Sequence, residues 1–191
     1  MNNTFEEIFI EHCAPLLAGI KTSNLFSVKY EDYNALYEKI VILNQTLNKK
    51  DIYIKIIKKS NSSNSFYLIF AYRKTKLSER VNEKHINLFL KDYGYSKCKD
   101  LNDYLCILTE KLNSSEAFPH EIGIFLGYPL NDVVSFIKEK GKNFVACGIW
   151  KTYSNKNHYE KVFSIYKKYK DLYTKLYRNG HSIEMLALAS S

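Results

Sequence analysis

No apolar run in the 191 residues approaches the roughly 18 that a membrane span needs, so no membrane partner is expected. The start, MNNTFEEIFIEHC, carries Glu6, Glu7 and Glu11 ahead of any Lys or Arg, unlike the basic opening of a secretory signal. A cytoplasmic location is expected on these grounds. The four cysteines, Cys13, Cys98, Cys106 and Cys147, are then expected as reduced thiols. No two of them stand as CxxC, which excludes a local zinc knuckle or a thioredoxin-like pair. The glycines form neither GxGxxG nor a P-loop, so no ready-made nucleotide cradle is present. There is no internal repeat or low-complexity tract, and "SNSSNS" is too short for a linker, so one domain over residues 1–191 is expected.

What is present suits a globular fold. A chain of this length buries roughly 70% of its unfolded surface and needs no disulfide staples. The 16 Tyr and 11 Phe supply large, half-polar packing units. The net charge of +8 admits an acidic partner such as nucleic acid or an anionic metabolite. The basic residues are spread along the chain, and Lys, Asn, Ile and Tyr are enriched together, as an AT-rich genome produces. No segment interleaves Arg with aromatics as a stacking platform would, so a nucleic-acid partner is not expected.

Periodicity orders the elements. Thr4 and Glu7 form a capping box for a first helix to about Leu17, which Pro15 ends or kinks. "NLFSVKY" reads as a strand. Leu36, Ile40, Leu43 and Leu47 stripe a helix over Glu31 to Asn48. Ile52–Lys58 and Phe66–Arg73 are β-rich, and the polar link between them predicts an antiparallel hairpin. Leu77 to Tyr93 predicts one or two helices ending near Gly94, and Asp100 caps another carrying Leu101, Leu105, Leu108 and Leu112. Pro119 opens a short helix to Phe125 with Gly127 as its stop, and Asn131 is expected to cap the next. "FVACGIWKTY" reads as one strand, with Gly148 marking a bulge or a close backbone approach. A long helix, His158 to Arg178, closes the chain. Without regular βαβ alternation the expected class is α+β, a small antiparallel sheet of about four strands packed with several helices.

Three stretches concentrate polar residues among large apolar ones: "HCAPLLAGIKTSNLF" (His12–Phe26), "FPHEIGIFLGYPLNDVVSFI" (Phe118–Ile137) and "GIWKTY" (Gly148–Tyr153). Together, in this order and with a Tyr72-Arg73 strand end, they resemble the domain-of-unknown-function 3793 family, found chiefly in clostridial anaerobes. Ser135 stands where that pattern has glycine, and Ile149 and Thr152 where it has Tyr and Val. The resemblance implies a compact bacterial cytosolic domain and brings no activity with it.

The residues themselves suggest one composite pocket walled by the three stretches. Cys13 beside His12 is either a nucleophile or a small buried packing group. His120 and Glu121, in the first turn after Pro119, are candidate acid–base groups placed against the His12–Lys21 segment. Lys21, Arg73 and Lys151 are candidate anion contacts, with Asn24 and Tyr128 as further ligand contacts and Trp150 and Tyr153 as stacking surfaces. His12, Cys13, His120, Glu121 and Cys147 could also converge on a metal. The function expected is binding of a small anionic ligand, or thiol or acid–base catalysis. A metal, haem or redox-linked sensor without catalysis, and a purely structural or adaptor domain, are the alternatives.

Overall fold

The computed structural model describes residues 4–59, 66–114 and 118–189. Helix α1 spans Phe5–Leu17. Its capping box is formed: the Glu7 N–H donates to Thr4 Oγ1 (3.2 Å) and the Thr4 N–H to Glu7 Oε2 (2.8 Å). Pro15 lies inside the last turn without breaking it, and Gly19 at φ 75° supplies the left-handed residue that turns the chain away. Strand β1 (Ser23–Lys29) and α2 (Tyr33–Leu47) follow, and the side chain of Asp32 caps α2.

Strands β2 (Ile52–Lys59) and β3 (Phe66–Arg73) pair antiparallel, as their composition predicts, with a register shift between Ile56 and Lys58. The polar turn expected between them lies outside the described residues. β1 adds to the other edge of β3, giving a sheet of order β1-β3-β2. The central β3, FYLIFAYR, is apolar at nearly every position because helices cover both faces of the sheet. Tyr67, Ile69 and Ala71 face one core with α1, α2 and residues from the end of the chain. Phe70 and Tyr72 face a second core with residues of the middle helices.

Those middle helices are α3 (Lys74–Asn82), α4 (Lys84–Leu90), α5 (Leu101–Asn113), α6 (Ile122–Phe125) and α7 (Leu130–Lys138). Gly94 at φ 92° sits in the turn after α4, and Asp100 and Asp103 form the capping box of α5. α6 is shorter than expected, since Pro119 to Glu121 form a turn ahead of it. Asn131 does not cap α7. Pro129 is the cap residue, its fixed φ setting the helix entry, and Asn131 falls inside the first turn.

The single strand expected over Phe144–Tyr153 is instead a tight hairpin of β4 (Ala146–Cys147) and β5 (Lys151–Thr152). The Gly148 N–H donates to the Trp150 carbonyl across the turn (3.2 Å). Gly148 is also a close approach, since a Cβ there would stand 2.0 Å from Tyr159 Oη. The strands therefore divide into a three-stranded sheet and a separate two-stranded one among the described residues. Helix α8 (Lys156–Arg178) packs its Tyr169, Tyr173 and Leu176 stripe on the first core, and α9 (Ile183–Leu186) is the last helix among the described residues. No helix among the described residues is long and apolar enough to cross a membrane.

Candidate functional site

The end of α1 and the start of β1 build a buried polar corner. Lys21 is only 6% exposed. Its Nζ donates to Asn24 Oδ1 (2.5 Å), and Asn24 Nδ2 donates to the His12 carbonyl (2.7 Å). The ammonium lies 6.0 Å from the centre of the Tyr128 ring and 5.7 Å from that of Tyr166, within reach of cation–π attraction. No carboxylate among the described residues lies within ion-pair distance of it. Burial is the main reason its pKa falls to about 8.

This corner opens into a cleft of ≈ 480 Å³ between α1, Tyr128 and α8, lined by His12, Lys21, Asn24, Tyr128, Ile149 and Tyr166, with Lys167 and Lys170 at α8. Glu11 and Asp171 also reach it, but Glu11 is taken by Lys170 (2.6 Å). His12 stacks on Phe26 with ring centres 5.0 Å apart. Desolvation lowers its pKa, Glu11 opposes that, and Lys170 and Lys21 add to it, so the imidazole is biased toward its neutral form. Burial raises the Tyr128 hydroxyl to about 12.

Cys13 is fully buried in the first core. Desolvation drives its pKa up, and the opposing influence of Lys21 and Asn24 does not overcome that, so it is held as a thiol. Of the two roles considered for it, the environment is that of a packing group.

The second and third stretches meet in a different recess. His120, Phe136, Trp150, Lys151 and Cys147 line a mostly apolar groove of ≈ 320 Å³, and Tyr128 and Ile149 form a wall common to it and the Lys21 cleft. His120 is exposed and meets Phe136 edge-on at 5.0 Å. Lys151 donates to the Gly141 carbonyl (2.8 Å) and lies 4.7 Å from the centre of the Phe144 ring. Trp150 stacks on Tyr128 (5.3 Å) and meets Tyr159 edge-on (4.9 Å). Its indole N–H donates to Asp132 Oδ2 (2.8 Å), while the Tyr153 N–H donates to Asp132 Oδ1 (2.9 Å). The buried Asp132 thus fixes the hairpin to α7. Its sequence signal was a carboxylate in the first turn of a helix, which alone does not foretell its partners.

Two expected ligand groups serve other purposes. The Arg73 guanidinium is buried and donates to the carbonyls of Leu16 (2.8 Å), Leu17 (2.9 Å) and Leu188 (2.8 Å). It caps α1 from outside and faces backbone, not the cleft. Glu121 is also buried, pairing with Lys111 Nζ (2.6 Å) and accepting from the Tyr95 hydroxyl (3.3 Å). It therefore turns away from the His12–Lys21 segment toward α5. Lys111 and Tyr95 gave no warning of this, because a contact across the turn before α6 has no periodic spacing. The first and second stretches do touch elsewhere: the buried Ser23 hydroxyl donates to the Phe125 carbonyl (2.5 Å).

The composite pocket is therefore two recesses. His12, Lys21, Asn24 and Tyr128 share the first, and His120, Tyr128, Trp150 and Lys151 share the second. No group of three or more His, Cys, Asp or Glu side chains among the described residues could hold a metal ion, so His12, Cys13, His120, Glu121 and Cys147 do not assemble as ligands.

A family model described as "Protein of unknown function (DUF3793)" matches residues 9–187. No curated protein and no solved structure matches the chain.

Proposed function

The chain belongs to the DUF3793 family, and from that premise we propose that it binds a small anionic molecule, carrying a carboxylate or phosphate, in the cleft at the end of α1. Lys21 is the anchoring cation, and Asn24 holds its ammonium in place. Tyr128 and Tyr166 flank the charge and exclude water, and Lys167 adds a second cation at α8, beside Asp171 and the Lys170–Glu11 pair. The observation that carries this is the buried Lys21 with no carboxylate partner among the described residues. A buried cation is costly unless it is paired, and a cleft at its side lets a ligand provide the missing charge. The setting is a reducing cytoplasm, in which the four cysteines stay thiols.

Isothermal titration with lactate, succinate and inorganic phosphate tests this on wild type and Lys21→Met. Met matches the lysine stem in volume, so the variant is expected to fold. At least one anion should bind saturably to wild type and lose measurable binding in the variant. If none binds, or the variant binds them equally well, the cleft is not an anion site and Lys21 is a structural group.

A further inference from the structure

We infer that Lys21 is an imine-forming lysine, and that the anion its cleft takes is a small carbonyl compound such as a 2-oxo acid. This rests on the cleft being an anion site and names the class of anion. Three features of the geometry point to it. The Lys21 amine is buried but reaches the cleft, so a ligand meets it without bulk water. Its one hydrogen-bond partner among the described residues is Asn24 Oδ1, a neutral acceptor, whereas Lys39, Lys111 and Lys170 are held in ion pairs with carboxylates. Burial of the amine against the cleft wall takes water from it and favours the neutral, nucleophilic form over the ammonium. The lowered pKa agrees with this burial.

The step balances without an oxidant or a metal. The neutral Nζ adds its lone pair to the carbonyl carbon and forms a C–N bond, and its proton passes to the former carbonyl oxygen. The resulting carbinolamine loses that oxygen as water and leaves a C=N bond. His12 lines the same cleft and, biased toward its neutral form, is available to move the proton. The ligand's carboxylate faces Lys167, so charge attraction and carbon–nitrogen bonding act at opposite ends of the molecule.

The test uses the whole wild-type chain and needs no variant. Pyruvate with cyanoborohydride traps an imine as N-(1-carboxyethyl)lysine, and peptide mass spectrometry reads the labelling rate at each lysine. An amine with a pKa near 8 is neutral far more often at pH 7 than one near the ordinary 10.5. Lys21 should therefore label at least about tenfold faster than the mean of the other lysines at pH 7. Its rate should level off above pH about 8, and the preference should vanish in urea. Labelling of Lys21 less than about tenfold above that mean overturns the inference. If Lys21-dependent titration of lactate, succinate or phosphate persists in that event, the anion site stands and only the imine falls. If the titration is absent too, both fall.

Discussion

Lys21 carries a charge that its surroundings oppose. A lysine whose pKa drops from 10.5 to about 8 on folding loses about 3 kcal/mol of stability while it is protonated. The sign follows from proton linkage. Between pH about 8 and 10.5 the unfolded chain holds this proton more often than the folded one, so stability from this group rises with pH. Below pH about 8 the full penalty is present. Lys21→Met should thus be more stable than wild type at pH 7, by up to about 3 kcal/mol, and its advantage should shrink as pH climbs from about 8 to 10.5. Urea denaturation of both proteins at matched pH reads the difference and cancels the other titrating groups. An advantage independent of pH would count against a desolvated lysine. At the same scale, Cys13 and the exposed Cys106 and Cys147 should separate cleanly. A thiol reagent such as DTNB at pH 7 should modify Cys106 and Cys147 quickly and leave Cys13 unmodified until the protein unfolds. Rapid labelling of Cys13 in the native protein would restore it as a nucleophile.

At the scale of elements, Arg73 ties three pieces of chain together. It ends β3, donates to the last carbonyls of α1, and holds Leu188 beyond α9. Helix ends leave carbonyls without intrahelical partners, and here a guanidinium supplies the missing donors. Its flat fork reaches several carbonyls at once, which an ammonium cannot do in the same geometry. Lys50 Nζ adds two bonds to the same terminal segment, at the Glu184 (2.6 Å) and Ala187 (2.7 Å) carbonyls. Arg73→Lys is therefore expected to cost about 2–4 kcal/mol, since at least one buried carbonyl loses its donor and the remainder bond in poorer geometry. Hydrogen exchange at Ile183 to Leu188 should speed up well before global unfolding. Unchanged exchange there would show that Lys50 and the apolar contacts of α9 suffice.

For the whole molecule, the sheet is the partition between two cores, and both recesses open where the helices covering it meet. The anion cleft lies between α1 and α8, and the apolar groove lies between the turn before α6, α7 and the β4–β5 hairpin. The net charge of +8 bears on partners at this scale. The pairs Lys39–Glu6, Lys111–Glu121 and Lys170–Glu11 are already cancelled in that net figure. The excess basic residues are not arranged as an Arg-aromatic platform. Binding to single-stranded or duplex nucleic acid should be weaker than micromolar at physiological salt, as read by fluorescence anisotropy. Micromolar binding that falls steeply with added salt would show that the charge has a nucleic-acid partner.

The sequence by itself determined whatever depends on neighbours along the chain. The Thr4–Glu7 and Asp100 caps, the leucine stripes of α2 and α5, the pairing of β2 with β3 and the stop at Gly127 are local signals, because capping, helical spacing and β-rich runs act over a few residues. It also marked Lys21, Asn24, His12 and Tyr128, which do share a cleft. The tertiary structure alone decided which polar groups face that cleft. Arg73 and Glu121 look the same in sequence as ligand-binding residues, yet one meets the carbonyls of α1 and the other Lys111, 10 residues before it. A buried charge takes the partner that packing brings to it, and packing is set by contacts far apart in the chain. The β4–β5 hairpin was hidden for a similar reason. It lies within the ten residues Phe144–Tyr153, and it is held by Tyr159 packed at Gly148 and by Asp132 bonded to Trp150 and Tyr153, neither of which lies within that stretch.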